Sequence, residues 1–200
     1  VWAMAGIHPH DAGDTPAGYV AALRDFVARP RTVAVGEIGL DYHYMYSPAA
    51  DQRRVFAEQL ALAAALGKPA VIHTREAFDE TLEVIAASGV GGDRLVFHSF
   101  TGGPDEARRV LELGAAVSFS GIVTFKNAGD LRAAAKLVPD RRLLVETDAP
   151  FLSPEPVRSR RPNAPACTVH TLRRLAELRG VPAERLAEIT TANARRVFGI

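Results

Sequence analysis

Short apolar segments alternate with helical periods along the whole chain, and this alternation restricts the possible folds more than any other feature of the sequence. Six segments are rich in Val, Ile, Leu and Phe and show no polar alternation, as expected for parallel strands buried on both faces. They are Trp2–Ile7, Thr32–Ile38, Ala70–Thr74, Leu95–Phe100, Ala115–Ser120 and Leu143–Thr147. The pattern predicts an α/β protein with a parallel sheet and a buried first strand.

Helical periods separate these strands. Phe78, Leu82 and Ile85 recur at helical spacing before Gly89, and Pro104 opens a second helix that Gly114 closes. Further helices are predicted near 47–67, 168–179 and 182–198. No segment has the composition of a linker between domains, so we predict one domain over residues 1–200. Six strand–helix units fit either an open doubly wound sheet or a closed barrel.

Composition excludes several classes of protein. The 24 basic and 23 acidic residues give a net charge of +1, which argues against a basic nucleic-acid-binding arm or an acidic tail. No uncharged apolar run approaches the roughly 20 residues of a membrane helix. A single cysteine, Cys167, excludes an internal disulfide framework and favours a reducing compartment, so we expect a cytoplasmic protein.

Five of the six strands end in a histidine or a carboxylate. His8, His73 and His98 stand at the ends of three strands, Glu37 at the end of another, and Glu146 and Asp148 at the end of the last. Catalytic and binding residues of parallel α/β folds lie at this carboxyl end of the strands. Imidazole and carboxylate together suit divalent ions such as Zn²⁺, Mn²⁺ or Mg²⁺. The alternative is a metal-free aldolase or isomerase in which Glu37 and a histidine act as acid and base.

At these positions the sequence resembles the TatD family of metal-dependent deoxyribonucleases, which have an amidohydrolase-like TIM barrel. The strings that carry the resemblance are Gly6-Ile7-His8-Pro9-His10-Asp11, Gly36-Glu37-Ile38-Gly39-Leu40-Asp41-Tyr42, Ile72-His73-Thr74-Arg75-Glu76-Ala77, Phe97-His98-Ser99-Phe100-Thr101-Gly102, Glu146-Thr147-Asp148-Ala149-Pro150-Phe151-Leu152 and Thr191-Ala192-Asn193-Ala194-Arg195-Arg196-Val197-Phe198. Together they are highly specific, and the resemblance covers nearly the whole chain.

The resemblance implies a site with two divalent cations, Mg, Mn or Zn. Glu37 would bridge them, His73 and His98 would bind one, and Asp148 would bind the other and take a proton from the attacking water. The family's remaining ligands, a His-x-His pair on the first barrel strand, are not in this chain. A full (β/α)8 barrel takes about 250 residues. We therefore expect a TIM (β/α)8-type barrel from which about the first two units are absent.

Other residues near the strand ends are candidates for substrate binding. We expect His8 and His10 to contact substrate, Arg75 to hold a phosphate through its planar guanidinium, and Ser99 to lie in a polar turn at a helix start. Arg161 belongs to a Pro/Arg loop where many family members carry Arg-Asn-Glu-Pro, whereas this chain has Arg161-Pro162-Asn163-Ala164-Pro165. Any role of that glutamate is therefore in doubt.

Three aromatic residues near His43 allow two interpretations. Tyr42, Tyr44 and Tyr46 could stack an unpaired base or could form a structural cluster that caps a helix.

The resemblance implies hydrolysis of phosphodiester bonds in DNA, from the 3′ end of single strands, with no membrane and no obligate protein partner. A small-molecule amidohydrolase, lactonase or deacylase would use the same site, since fold and metals do not fix the substrate. An inactive truncated barrel is a third possibility, because an unclosed barrel exposes two sheet edges.

Overall fold

The computed structural model describes residues 1–200 and contains six strands in the hydrogen-bonded order β1-β2-β3-β4-β5-β6. Their bounds are β1 Ala3–Ala5, β2 Thr32–Asp41, β3 Ala70–Arg75, β4 Leu95–Phe97, β5 Ala116–Phe119 and β6 Leu143–Val145. The pairs β1–β2, β2–β3 and β5–β6 run parallel. This confirms the predicted α/β class, and a barrel completed by two further units stays a prediction.

Seven helices lie between and after the strands. They are α1 Tyr19–Val27, α2 Ala49–Leu66, α3 Phe78–Ser88, α4 Pro104–Glu112, α5 Gly129–Leu137, α6 Thr168–Arg179 and α7 Ala183–Phe198. The predicted helix boundaries at these residues are confirmed. Gly67 and Gly89 follow α2 and α3 in the left-handed conformation, and Pro104 is the first residue of α4. None of these helices is both long and apolar enough to cross a membrane.

The chain divides into two compact units. The first comprises Val1–Val96 with Val197–Ile200, and the second comprises Phe97–Arg196. In the first unit, α2 packs against β2, which pairs with β3, and the fully buried residues include Ile38, Leu40, Phe56, Leu60 and Ile72. The second unit has its own buried residues, among them Phe119, Leu143, Leu175 and Leu186.

The prediction of a buried first strand is wrong. Only Ala3–Ala5 form β1, and the side chains of Trp2 and Met4 are exposed. The first strand is exposed because of its place in the sheet: β1 is the terminal strand in the order and has only β2 as a neighbour. An apolar run therefore looks the same in sequence whether both of its faces are covered or not.

Strand β2 contains a bulge at Gly36 and Glu37. Val35 pairs with Ala70 and Ile38 pairs with Ile72, so two residues of β2 lie opposite the single residue Val71. A bulge redirects the side chain that it carries. Gly36 is needed there because an added Cβ would lie 2.7 Å from the Val71 Cβ. Glu37 lies within the strand, as predicted, and β2 continues past the predicted end at Ile38 to Asp41.

A second glycine of β2 allows the closest approach between β2 and β3. Gly39 has φ +148°, and a Cβ built on it would lie 1.9 Å from the carbonyl oxygen of His73. Gly39 is also the register partner of His73. Any side chain at position 39 would therefore push the two strands apart at the residue that carries the His73 imidazole.

We expect Gly39→Ala to lower the free energy of unfolding by about 3–5 kcal/mol, because it adds a backbone clash to an unfavourable φ. Gly18→Ala is the matched control, since Gly18 also has positive φ, +80°, but has open space around its Cα. That change should cost only about 1–2 kcal/mol. Urea unfolding followed by circular dichroism measures both, and equal losses would contradict the clash.

Candidate metal centre

In the first unit, the carboxyl ends of three neighbouring strands bring four polar side chains together. His8 follows β1, Glu37 and Asp41 belong to β2, and His73 belongs to β3. Because these strands are parallel, their carboxyl ends lie at one edge of the sheet. Glu37, His73 and His8 are each partly accessible, whereas the Asp41 side chain is only 1% exposed.

The imidazole of His73 lies between two carboxylates. Its Nδ1 is 2.9 Å from Glu37 Oε1, and its Nε2 is 2.9 Å from Asp41 Oδ2. Burial alone would raise the pKa of Asp41, but hydrogen bonds from the Tyr44 backbone N–H and from His73 hold it below its usual value. Asp41 is therefore an ionised acceptor, and Nε2–H of His73 donates to it.

A neutral His73 that donates from Nε2 has a lone pair on Nδ1. That lone pair faces an oxygen of Glu37 at 2.9 Å, so two Lewis bases point at each other. Such an arrangement is stabilised by a proton or a metal cation between them. A carboxylate that holds the far nitrogen of a metal-ligating histidine is also the usual partner of such ligands. The donor set at Glu37 and His73 therefore fits a divalent cation.

His8 completes a possible three-ligand group. Its ligand atom and those of Glu37 and His73 all lie within 4.8 Å of one another. However, His8 Nδ1 accepts the backbone N–H of His10 at 3.2 Å, so the proton of a neutral His8 resides on Nε2. Nε2 is the nitrogen that faces Glu37 Oε1, at 3.7 Å. In this tautomer His8 offers a hydrogen-bond donor, not a metal ligand.

The environment keeps His8 neutral at physiological pH. Burial and the neighbouring His73 lower the pKa of His8 to about 4, and Glu37 only partly opposes them. His10 lies alongside, with its ring centroid 4.2 Å from that of His8. Its Nε2 is 3.1 Å from Asp41 Oδ2 but is not aligned for a hydrogen bond, so this buried nitrogen has no partner.

The second unit contains a similar pairing at the ends of β4 and β6. His98 Nδ1 is 2.9 Å from Glu146 Oε2, while the other Glu146 oxygen accepts the Ser99 backbone N–H at 2.5 Å. His98 Nε2 lies 3.5 Å from Asp148 Oδ1. Two ligands of one tetrahedral zinc ion are about 3.4 Å apart, given metal–ligand distances near 2.1 Å. His98 and Asp148 are therefore spaced to share a cation, whereas the family resemblance gives them to two different cations.

Two buried glutamines of α2 fix the strand ends of the first unit. Gln59 accepts the N–H of Ile7 at 2.6 Å and donates to its carbonyl at 3.1 Å. Gln52 accepts the N–H of Asp41 at 2.8 Å and donates to the carbonyls of Asp41 and Ser47. The two glutamines are seven residues apart, so they lie on one face of the helix. This clasp holds the backbone before His8 and at Asp41.

Sequence reasoning assigned no role to Asp41, Glu146 or the two glutamines. Asp41 and Glu146 lie in the quoted strings, and the signal that could have identified them is their position at the same strand ends as Glu37 and Asp148. The glutamines gave no such signal. Their role depends on hydrogen bonds to the backbone of other elements, and the local sequence does not show which backbone groups lie nearby. Of the predicted substrate contacts, Arg75 is half-buried beside Tyr44, Ser99 bonds to Ser120 at 2.7 Å, and Arg161 is exposed.

Parallel α/β architecture with imidazoles and carboxylates paired at strand ends is the arrangement found in metal-dependent hydrolases. The chain belongs to the TatD related DNase family, whose model matches residues 1–199. This confirms the family that the sequence motifs indicated.

Relatives and solved structures agree with this assignment. The chain is 39% identical over 200 residues to a Bacillus subtilis protein named uncharacterized metal-dependent hydrolase YabD, covering all of this chain and 78% of YabD. It is 37% identical over 203 residues to the Escherichia coli K12 3′-5′ ssDNA/RNA exonuclease TatD, again covering 100% and 78%. The crystal structure of the E. coli TatD homologue YjjV matches with a TM-score of 0.92 at 28% identity, covering 100% of this chain and 77% of YjjV.

We expect Gln52→Met to lower the free energy of unfolding by about 2–3 kcal/mol, because it keeps the volume but leaves buried peptide groups of Asp41 and Ser47 without their partner. Arg54→Met on the same helix is the control. Its ion pairs with Asp51 and Glu58 are exposed, so the loss should stay below about 1 kcal/mol. Equal unfolding midpoints in urea for the two variants would refute the clasp.

Proposed function

We propose that this chain is a divalent-metal-dependent nuclease that hydrolyses phosphodiester bonds from the 3′ end of single-stranded DNA. The observation that carries the proposal is the opposition of Lewis bases at two places, Glu37 against His73 and His98 against Asp148. The name of the E. coli TatD relative supports the substrate class. The alternative is a metal-dependent hydrolase that acts on small molecules.

Glu37, His73, His98 and Asp148 are the proposed ligands of two cations, Mg, Mn or Zn. When bound, these cations would supply positive charge for the phosphate oxygens and lower the pKa of a water molecule. Asp41 and Glu146 act as positioning residues, because each holds the far nitrogen of one ligand histidine. Both imidazoles are thereby fixed in one tautomer before substrate arrives.

Proton transfer and substrate binding fall to other groups of this chain. Asp148 is partly exposed and is the proposed acceptor of the proton from the attacking water. His8 is neutral with its proton on Nε2, which suits donation of a hydrogen bond to a phosphate oxygen. His10, Arg75, Ser99 and Arg161 are the further proposed substrate contacts, and Arg75 has the planar donor group that matches a phosphate.

Degradation of a 5′-labelled single-stranded oligonucleotide in Mg²⁺ or Mn²⁺ tests the activity. We expect a product ladder that shortens from the 3′ end and is abolished by EDTA and by Glu37→Gln, since either change removes a cation site. Cleavage that survives in EDTA after exhaustive dialysis would contradict a catalytic cation.

Loss of one ligand should remove metal and activity together. We expect His98→Ala to lower both the bound metal, measured by mass spectrometry of the dialysed protein, and the rate of cleavage by at least about 100-fold. His170→Ala is the matched control, because His170 lies on α6, outside both histidine–carboxylate pairings, and should leave both quantities unchanged. Normal metal content and turnover in His98→Ala would overturn the ligand assignment.

Salt dependence separates the two substrate classes. Binding of a nucleic acid releases counterions, so KM for the oligonucleotide should rise steeply between about 50 and 200 mM salt. Hydrolysis of a neutral ester or amide should barely respond over the same range. A flat profile with the oligonucleotide would favour the small-molecule alternative.

A further inference from the structure

The loop after β2 presents two stacked tyrosines to solvent. The rings of Tyr44 and Tyr46, here called the tyrosine platform, are 5.2 Å apart with an interplanar angle of 13°. Their exposed fractions are 46% and 68%. The chain's structural tyrosines differ, since Tyr19 is buried with its hydroxyl donating to the Val55 carbonyl and Tyr42 donates to Glu80. The two adjacent exposed rings form a contiguous apolar patch, and such patches mark binding sites.

Hydrogen bonds before and after the tyrosine platform hold its backbone in place. Asp41 Oδ1 accepts the N–H groups of His43 and Tyr44 at 3.1 and 3.0 Å. After the platform, the buried Ser47 donates to the His10 carbonyl at 2.7 Å and accepts the Gly13 N–H at 2.8 Å. The rings are therefore exposed on a fixed loop, so little conformational entropy is lost when a ligand stacks on them.

The His10 imidazole lies between the tyrosine platform and the candidate metal centre. The His10 ring meets Tyr44 and Tyr46 edge-on, with centroids 5.5 and 4.8 Å apart, and its centroid is 6.3 Å from that of His73. The Arg75 guanidinium lies 4.7 Å above the Tyr44 ring. The platform thus adjoins the cluster of Glu37 and His73 through the His10 ring, and it has a cationic group, Arg75, on its Tyr44 side.

We propose that the tyrosine platform is a stacking subsite for one unpaired nucleobase of the strand being cleaved, with Arg75 beside it for the adjoining phosphate. Every base has a π-face, so such a subsite binds without regard to sequence. A base inside a duplex has both faces covered, so the subsite selects single strands. This inference rests on the proposed nuclease function and specifies how the substrate is held.

A binding measurement that does not need turnover tests the subsite. The probe is a single-stranded oligonucleotide with phosphorothioate linkages and 2-aminopurine at its 3′ end, titrated with the protein in Mg²⁺. Stacking on an aromatic ring quenches 2-aminopurine fluorescence, and we expect wild-type protein to quench it. Tyr46→Ala should weaken binding about 5- to 100-fold, as expected for loss of one base–aromatic stack, and Tyr46→Phe should restore it.

Phe26→Ala is the matched control variant. Phe26 is also an exposed aromatic of the first unit, 49% accessible, with the Arg29 guanidinium 4.1 Å from its ring, but it lies on α1. It should bind the probe like wild type. Replacing the 3′ 2-aminopurine nucleotide by an abasic one, with binding followed instead by the fluorescence anisotropy of a 5′ dye, should weaken wild-type binding by a similar factor and have no further effect in Tyr46→Ala.

The results separate this inference from the proposed function. Absence of quenching by wild type, or equal affinity of wild type and Tyr46→Ala, overturns the subsite even if an unmodified oligonucleotide is cleaved. Independent losses from the abasic change and from Tyr46→Ala also overturn it. Quenching that depends on Tyr46 supports the subsite even if the unmodified oligonucleotide is not cleaved, in which case only the proposed nuclease function fails.

Discussion

The close approach of β2 and β3 at Gly39 is the constraint on which the first half of the candidate site depends. Without a side chain at Gly39, the two strands come near enough for the His73 imidazole to reach both Glu37, in the bulge, and Asp41, at the end of β2. The bulge at Gly36 and Glu37 then turns the Glu37 carboxylate toward that ring. Local backbone geometry, set by two glycines, thus creates an arrangement of opposed Lewis bases.

Carboxylates play two different parts in both units. Glu37 and Asp148 each face one nitrogen of a histidine, whereas Asp41 and Glu146 lie at the opposite nitrogen of the same rings. Because Asp41 also accepts the N–H groups of the loop that follows β2, one buried carboxylate orients His73 and fixes the tyrosine platform. The candidate metal centre and the proposed base subsite are therefore mechanically linked through one side chain.

Much of the fold followed from the sequence because its signals are local. Apolar runs of strand length, helical periods and Gly or Pro at their ends predicted five of the strands nearly as observed, the helices that end before Gly67 and Gly89, and the helix that begins at Pro104. The burial of β1 was predicted wrongly, because coverage of a strand depends on neighbours that a local pattern does not specify. The positions of the histidines and carboxylates at strand ends could be predicted because the end of a strand is also recognised from the local sequence.

The sequence by itself determined the α/β class, the family and the residue types offered at the strand ends, since these follow from periodicity and short motifs. Only the tertiary structure decided which groups face each other: the double contact of His73, the clasp of Gln52 and Gln59, and the exposure of Tyr44 and Tyr46. Such contacts join residues up to 52 positions apart. A hydrogen bond needs its partners within about 3 Å and in line, and that condition is met only once the chain has folded.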